Sequence, residues 1–427
     1  MAEAGEAALE SRTIRRIAWR LIPFLMLLYL IAFLDRINVG FAALTMNRAI
    51  GLTPRMYGFG SGIFFLGYVA FEVPSTILQQ RVGARFWIGR VMVTWGVVST
   101  AMAFARGPVS FCALRLLLGL AEAGFFPGTI LYLSYWFPQR YRSVATAAFM
   151  AAAPLAGAIG SPISGALLGL SGVLGLQGWQ WLFLMEGLPA IVVGVIAVLW
   201  LRDGPADAEW LEEEERRWLT KEMAREEQHA PHESRLWRGL LDWRNLALSL
   251  AYFGTSAGLY TIGFWAPLIL HRFGFSGFRV GLLVAVPNLV AVAGMLAWSH
   301  NSDRTGERYW HAALACAIAA AGMAIAADAG ASAVIAVAGL SLTAFGVSAA
   351  KPPLWSIPSM FFTGTAAAAS IGLINSLGTL GGFAGPYMVG AGKDLDRGLY
   401  WVGGALAVSA ITILGMRGFA RRQERQI

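Results

Sequence analysis

Apolar residues come in blocks of about twenty along most of this chain, and these blocks constrain its fold more than any other feature. Of the 427 residues, 57% are hydrophobic and 14% are charged, and the mean hydropathy is +0.58. A soluble domain carries about 25% charged residues, and its apolar residues follow amphipathic stripes instead of continuous blocks. The sequence therefore predicts an all-α membrane protein.

Hydropathy divides the chain into twelve predicted membrane spans. They lie near residues 17–40, 57–80, 86–105, 109–134, 143–169, 179–201, 244–270, 279–299, 309–327, 332–358, 364–391 and 399–417. Most are somewhat longer than the ~20 residues needed to cross a bilayer, which allows the helices to tilt. An even number of spans places both termini on one side of the lipid bilayer.

The basic residues predict the orientation of these spans. If both termini are cytoplasmic, most of the 33 lysines and arginines fall on the cytoplasmic side, as the positive-inside rule requires. This placement accounts for the net charge of +8, so we expect no nucleic-acid partner. The N-terminal apolar stretch is too long for a signal peptide, and it is predicted to be a retained first span.

One long polar segment, residues 202–243, separates the first six spans from the last six. It contains the run Glu212-Glu213-Glu214-Glu215-Arg216-Arg217, and charges at this spacing predict a surface helix. We therefore predict an N-terminal six-helix bundle at 1–201, a cytoplasmic linker at 202–243 and a C-terminal six-helix bundle at 244–427. The linker is either a solvated connector or a regulatory contact.

The two halves repeat a short motif after their second span. Arg81-Val82-Gly83-Ala84-Arg85-Phe86-Trp87 matches Arg304-Thr305-Gly306-Glu307-Arg308-Tyr309-Trp310, which Asp303 precedes. The glycines would permit tight turns, and the arginines would reach a carboxylate on a neighbouring helix in a contact that breaks when the halves move. The alternative is plain anchoring at the membrane surface. Duplicated halves imply a pseudo-twofold axis along the membrane normal and a site where the halves meet.

Charged side chains inside spans are costly in lipid and mark candidate functional sites. Arg115 and Glu122 share one helix face but lie about 10 Å apart along the axis, so each needs another partner. Asp35 in span 1 is predicted at the depth of Arg115 and could pair with it. Glu122 has no predicted basic neighbour, which suits a group that takes up and releases a proton. Two alternatives remain open: a static hydrogen bond for Glu122, and an Arg115 that only reaches the outer surface.

Other polar residues in the spans are candidate substrate ligands. A buried anion requires fixed positive charge, which Arg36, Arg115 and Lys351 could supply. Lys351 would either bind a second carboxylate or pair with an acid such as Glu72. Glu186, placed near the inner third of span 6, is interpreted as a packing residue. Groups that could hydrogen-bond a substrate, or merely join two helices, belong to Asn38, Tyr68, Tyr260, Asn288, Trp355, Ser356, Asn375 and Ser376.

Taken together, these features resemble the major facilitator superfamily over essentially the whole chain. Several motifs resemble more narrowly the anion:cation symporter family, and within it the bacterial branch of tartrate, phthalate or sugar-acid permeases. These motifs are Phe33-Leu34-Asp35-Arg36-Ile37-Asn38-Val39-Gly40, Gly67-Tyr68 with Phe71-Glu72-Val73-Pro74-Ser75, the stretch 115–128, Tyr135-Trp136-Phe137-Pro138, Ile374-Asn375-Ser376 and Gly381-Gly382-Phe383-Ala384-Gly385-Pro386.

The resemblance implies two pseudo-symmetric bundles that carry an organic carboxylate together with protons into the cytoplasm by alternating access. It implies that Asp35 and Glu122 serve the coupling proton and that Arg36 and Arg115 serve the substrate. It also implies a bacterial inner membrane. We expect a monomer whose partners are a small organic anion, protons and lipid.

Rival functional classes are less well supported by the sequence. The histidines lack metal-ligand spacing and no phosphate-binding loop is present, so we expect no enzyme, no metal and no cofactor. The serious alternative is a proton-coupled antiporter that exports drugs or organic cations, for which Asp35, Glu72 and Glu122 would be substrate contacts. Arginines inside the spans disfavour a cationic substrate.

Overall fold

A computed structural model describes residues 2–228, 242–361 and 364–424 of the chain. Within these ranges, eleven helical segments are long and apolar enough to cross a membrane. The remaining predicted span corresponds to a helix pair, Gly364–Thr379 and Gly381–Ala391, interrupted at Leu380. The predicted all-α membrane fold is confirmed.

The first half contains six spans and the second half six more. Span 1 is Ala2–Ile37 with Val39–Ala49, span 2 Pro54–Val82, span 3 Ala84–Ala101, span 4 Pro108–Glu122 with Phe125–Trp136, span 5 Gln139–Met150 with Ala152–Leu167, and span 6 Gly178–Trp200. Span 7 is Trp243–His271, span 8 Gly277–Thr305, span 9 Tyr309–Ala327, span 10 Ala333–Ser356, span 11 the Gly364–Ala391 pair, and span 12 Leu395–Glu424. Short 3-10 turns lie at Met102–Phe104, Leu168–Leu170, Val173–Gly175, Pro205–Asp207 and Pro358–Met360.

The interruption of span 4 lies directly after Glu122. Gly124 has a φ of +86°, a left-handed conformation that a residue without a Cβ adopts at the lowest cost. The hydroxyl of Ser75 on span 2 donates to the carbonyl oxygen of Ala123 at 2.7 Å. This contact fixes the end of the Glu122 helix against span 2.

The described linker helix, the loop at Gly83 and the start of span 1 lie at one end of the molecule, here called the linker end. At the opposite end, the far end, the two halves pack backbone to backbone. A Cβ added to Gly58 would lie 2.5 Å from the carbonyl oxygen of Pro386, and one added to Gly40 would lie 2.4 Å from that of Gly263. Glycines allow helices in membrane proteins to approach this closely.

A polar helix, Glu213–Gln228, lies in the linker as the sequence predicts. It is held against the first half. Glu215 is fully buried and pairs with Arg12 at 3.1 Å and with Arg16 at 2.7 Å, while Glu226 pairs with Arg142 at 2.9 Å. Residues 229–241 lie outside the described residues, so the boundaries of the linker stay a prediction.

Candidate functional site

A buried ion pair joins spans 1 and 4, where Arg36 Nη2 donates to Glu122 Oε1. Glu122 is 1% exposed and Arg36 is 8% exposed. The prediction that Glu122 has no basic neighbour is therefore wrong. It compared the depths of backbone positions, whereas the long arginine side chain carries its charge well away from its own Cα.

The second half contributes a hydroxyl to this ion pair. Arg36 Nη1 donates to the Tyr260 hydroxyl oxygen at 3.0 Å, across the boundary between the halves. The rings of Phe64 and Tyr68 lie 5.5 and 5.3 Å from the guanidinium carbon, within the range of cation–π attraction. Arg36 Nε has no hydrogen-bond partner in the described part of the chain. Of the three guanidinium nitrogens, Nη1 and Nη2 therefore each donate to a described residue, and the Nε–H is unused.

Asp35 faces a different set of neighbours from Arg36. It accepts hydrogen bonds from Trp95 Nε1 at 2.8 Å, Ser99 Oγ at 2.6 Å and Asn38 Nδ2 at 3.1 Å. Consecutive helix residues point about 100° apart, so Asp35 faces span 3 while Arg36 faces span 4. The predicted pair between Asp35 and the span 4 arginine is wrong. Sequence reasoning missed Trp95 and Ser99, although two polar groups one helical turn apart in an apolar span were a usable signal.

Arg115 is fully buried, which excludes the alternative that it reaches the outer surface. Its Nη2 donates to the backbone carbonyl oxygen of Ser61 at 3.0 Å, and it has no carboxylate partner among the described residues. The rings of Phe64 and Phe264 lie 5.1 and 5.5 Å from its guanidinium carbon. Because the Phe64 ring also lies near Arg36, both buried cations contact the same aromatic ring.

A second polar contact crosses between the halves at Glu72 of span 2. Its carboxylate accepts from Asn375 Nδ2 at 2.8 Å and from Ser376 Oγ at 3.1 Å, both on span 11. Glu72 lies one turn from Tyr68, which joins this contact to the Arg36 site. The alternative in which Glu72 pairs with Lys351 is not observed.

Lys351 and Trp355 lie one turn apart on span 10, and both are partly exposed. The Trp355 ring packs edge-on against Tyr252, with centroids 4.9 Å apart. The Lys351 ammonium lies within electrostatic range of Arg36 on the opposite half. It forms no hydrogen bond or ion pair with any residue that the structure describes.

Comparison with known proteins identifies the family. The sequence profile of the Major Facilitator Superfamily matches residues 25–386. The chain belongs to this superfamily. A relative from Agrobacterium vitis named "Putative tartrate transporter" is 55% identical over 411 residues, which cover 95% of this chain and 91% of that protein. The "Quinolone resistance transporter" of Acinetobacter baumannii is 39% identical over 401 residues, 92% of each chain.

A solved structure supports the same fold. The bacterial homologue of the human lysosomal transporter Spinster, in an inward-facing conformation, superposes with a TM-score of 0.79 at 18% identity, over 95% of this chain and 98% of that one. The chain is therefore a multi-pass secondary transporter of the anion:cation symporter type within the superfamily, and not an enzyme.

In this transporter, both repeated loops turn at a glycine with positive φ. Gly83 has a φ of +98° and Gly306 a φ of +69°, values that residues with a Cβ rarely adopt. In the first loop, the backbone N–H of Arg85 donates to Asp203 Oδ1 at 2.9 Å. The second loop supplies its own acid, because Arg308 Nη1 lies 2.5 Å from Asp303 Oδ1.

Neither of these loop contacts joins the first six-span half to the second. Arg81 and Arg304 are exposed, and neither forms an ion pair with a described residue. The role of both loops in gating stays a prediction.

Glu186 lies in a different place from the one predicted. Span 6 starts at the far end, and Glu186 is in the first half of this helix, within electrostatic range of Asp35. Ser164 Oγ donates to Glu186 Oε1 at 2.6 Å. The predicted place near the inner third is wrong, because span 6 runs from the far end toward the linker end and Glu186 lies in its first half.

Proposed function

We propose that this transporter imports an organic carboxylate, of the tartrate, sugar-acid or aromatic-acid class, together with protons across a bacterial inner membrane. Both termini lie in the cytoplasm in this proposal, and the proton is the coupling ion without any cofactor. The observation that carries it is the buried Arg36–Glu122 ion pair, with Tyr260 of the other half bound to the same guanidinium.

The coupling follows from competition for one cation. While Glu122 is ionised, it occupies the Arg36 guanidinium and disfavours the approach of another anion. A proton on Glu122 removes that negative charge, so a substrate carboxylate can take its place in bidentate contact with Arg36. The proton then compensates one negative charge of the substrate, which lowers the cost of moving it through a low-dielectric interior.

Asp35 is the second acid proposed to carry a proton. Its three donors, from Trp95, Ser99 and Asn38, suit an ionised carboxylate that accepts every bond. A protonated Asp35 would have to donate one of these bonds and so rearrange its surroundings. Because Arg36 is the next residue in the helix, such a rearrangement can reach the substrate site.

The contacts between the halves supply the moving parts of the proposal. Packing of Gly58 and Gly40 against the second half closes the far end. To close the linker end instead, the halves would have to separate at the far end. They would also have to rearrange the contacts of Arg36 with Tyr260 and of Glu72 with span 11. Arg115 adds a fixed positive charge near this path.

A second candidate function is proton-coupled export. It is favoured by the relative named for quinolone resistance, which is 39% identical over 92% of this chain. In this alternative Glu122, Glu72 and Asp35 would contact an exported drug. The three intramembrane cations Arg36, Arg115 and Lys351 favour an anionic substrate over a cationic one.

The test is transport by the purified protein in proteoliposomes. Labelled tartrate and a panel of monocarboxylates are supplied outside, with a proton gradient directed inward and a pH-sensitive dye inside. We expect accelerated uptake together with internal acidification. Carboxylate uptake that does not depend on the proton gradient would reject coupling. Exit of a drug loaded into the vesicles, as protons enter, would support the export alternative.

A further inference from the structure

Lys351 is a cation inside a membrane span, and no described residue supplies a counterion for it. The chain has two other lysines, Lys221 and Lys393, and both are exposed outside the apolar part of the spans. Lys351 lies in span 10 and is only partly exposed, yet no described residue forms a hydrogen bond or ion pair with it. An ammonium in this position is costly unless an anion compensates it for at least part of the cycle.

The buried acids Glu122 and Glu72 already have partners. Glu122 is paired with Arg36, and Glu72 accepts from Asn375 and Ser376. Lys351 lies within electrostatic range of Arg36, which belongs to the other half of the transporter. Two like charges therefore interact across the boundary between the halves.

We propose that Lys351 binds the second carboxylate of a dicarboxylate substrate whose first carboxylate is bound by Arg36. This inference rests on the proposed function and adds to it the charge of the substrate, because it makes the transporter selective for dianions. A dianion would neutralise both cations at once and remove their repulsion. A monoanion would satisfy Arg36 and leave Lys351 uncompensated.

The chemistry of lysine suits this role. Its ammonium is a compact charge with three donors on a flexible stem, so it can follow a carboxylate whose position varies with substrate length. Span 10 and span 1 belong to different halves, so a dianion would hold the halves together through its two ends. Substrate charge would then contribute to the conformational change as well as to affinity.

The experiment compares two ligands that differ by one charge. Tartrate and its monoamide, tartramate, have the same carbon skeleton and hydroxyl groups, but tartramate carries a single carboxylate. Dissociation constants are measured by calorimetry on the detergent-purified wild type. A lost charged hydrogen bond corresponds to about 10- to 100-fold in affinity, so we expect tartrate to bind that much more tightly.

Variants assign this preference to the lysine. Lys351→Met should weaken tartrate binding by about 10- to 100-fold and change tartramate binding less than threefold. Lys351→Arg should keep much of the preference, and Lys393→Met is the matched control that should behave as the wild type. If Lys351→Met fails to fold, the wild-type comparison of tartrate with tartramate and the Lys351→Arg variant still test the preference for a dianion.

The outcomes separate this inference from the proposed function. Equal wild-type affinity for the two ligands, or an equal loss of both in Lys351→Met, would overturn the assignment of Lys351 while leaving carboxylate transport intact. Failure of the wild type to bind or carry any mono- or dicarboxylate would reject the proposed function itself.

Discussion

Glu122→Gln tests the competition between the Glu122 carboxylate and the substrate for Arg36. Glutamine keeps the shape of the side chain and still accepts the hydrogen bond from Arg36 Nη2 through its amide oxygen. It cannot take up a proton. For one proton per carboxylate, a gradient of one pH unit supports about tenfold accumulation in the wild type. We expect the variant to reach only equal concentrations on both sides, while it still exchanges labelled for unlabelled substrate.

The structure also sets the stability cost of this change. The ion pair becomes a hydrogen bond from a charged donor to a neutral acceptor, a loss of about 1–2 kcal/mol in the free energy of unfolding. Truncation to alanine would also remove the acceptor of the Arg36 Nη2 hydrogen bond and would cost about 3–5 kcal/mol, so glutamine is the better variant. The contacts of Arg36 with Tyr260 and Phe64 remain in either case.

The assay uses proteoliposomes with an imposed gradient for accumulation and without one for exchange. Glu209→Gln is the matched control, because this glutamate is exposed and forms no ion pair with a described residue. It should accumulate and exchange as the wild type does. Tenfold gradient-driven accumulation by Glu122→Gln would refute the competition mechanism, and loss of exchange with retained folding would make Glu122 a substrate ligand instead.

Three further predictions follow from other parts of the structure. Asp35→Asn should lower the free energy of unfolding by about 1–3 kcal/mol in a thermal unfolding assay, because an amide N–H would face one of three donors; an unchanged or higher melting temperature would contradict it. Gly58→Val should open the far end, measured by spin-label distances between the halves, because its Cβ would lie 2.5 Å from the Pro386 oxygen. Gly169→Val, with nothing within 4 Å, is the control for it, and equal distances in both variants would count against the closed far end. Glu215→Gln should cost about 1–3 kcal/mol of stability through two weakened arginine contacts, with exchange rates unchanged, and a slower exchange would indicate a regulatory linker.

Hydropathy and repetition were sufficient to predict the fold. Apolar block length gives the spans because the bilayer has a fixed thickness, and the repeated loops around Gly83 and Gly306 mark equivalent positions because each needs a glycine with positive φ. The spacing of charges along residues 212–227 likewise predicts the linker helix, because it depends only on residues close together in the sequence. These features depend on neighbouring residues in the sequence.

The partners of the buried charges could not be predicted in this way. Helix periodicity gives the face and approximate depth of Arg36, Asp35 and Glu122, but the neighbouring helix is set by tertiary packing. The break after Glu122 at Gly124 turns that helix end toward span 2, and nothing in the apolar run indicates its direction. A comparison of depths in the membrane therefore predicts a pair between Asp35 and Arg115 and misses the pair between Arg36 and Glu122.

The lack of an acidic partner for Arg115 has a consequence for discrimination between substrates. Arginine stays charged at any physiological pH, and among the described residues Arg115 contacts a backbone oxygen and two phenylalanine rings but no carboxylate. Protonation of Glu122 changes the charge beside Arg36 but leaves this second guanidinium unaltered. The interior around Arg115 therefore stays electropositive whether Glu122 is protonated or ionised, which favours anions over cations in both states.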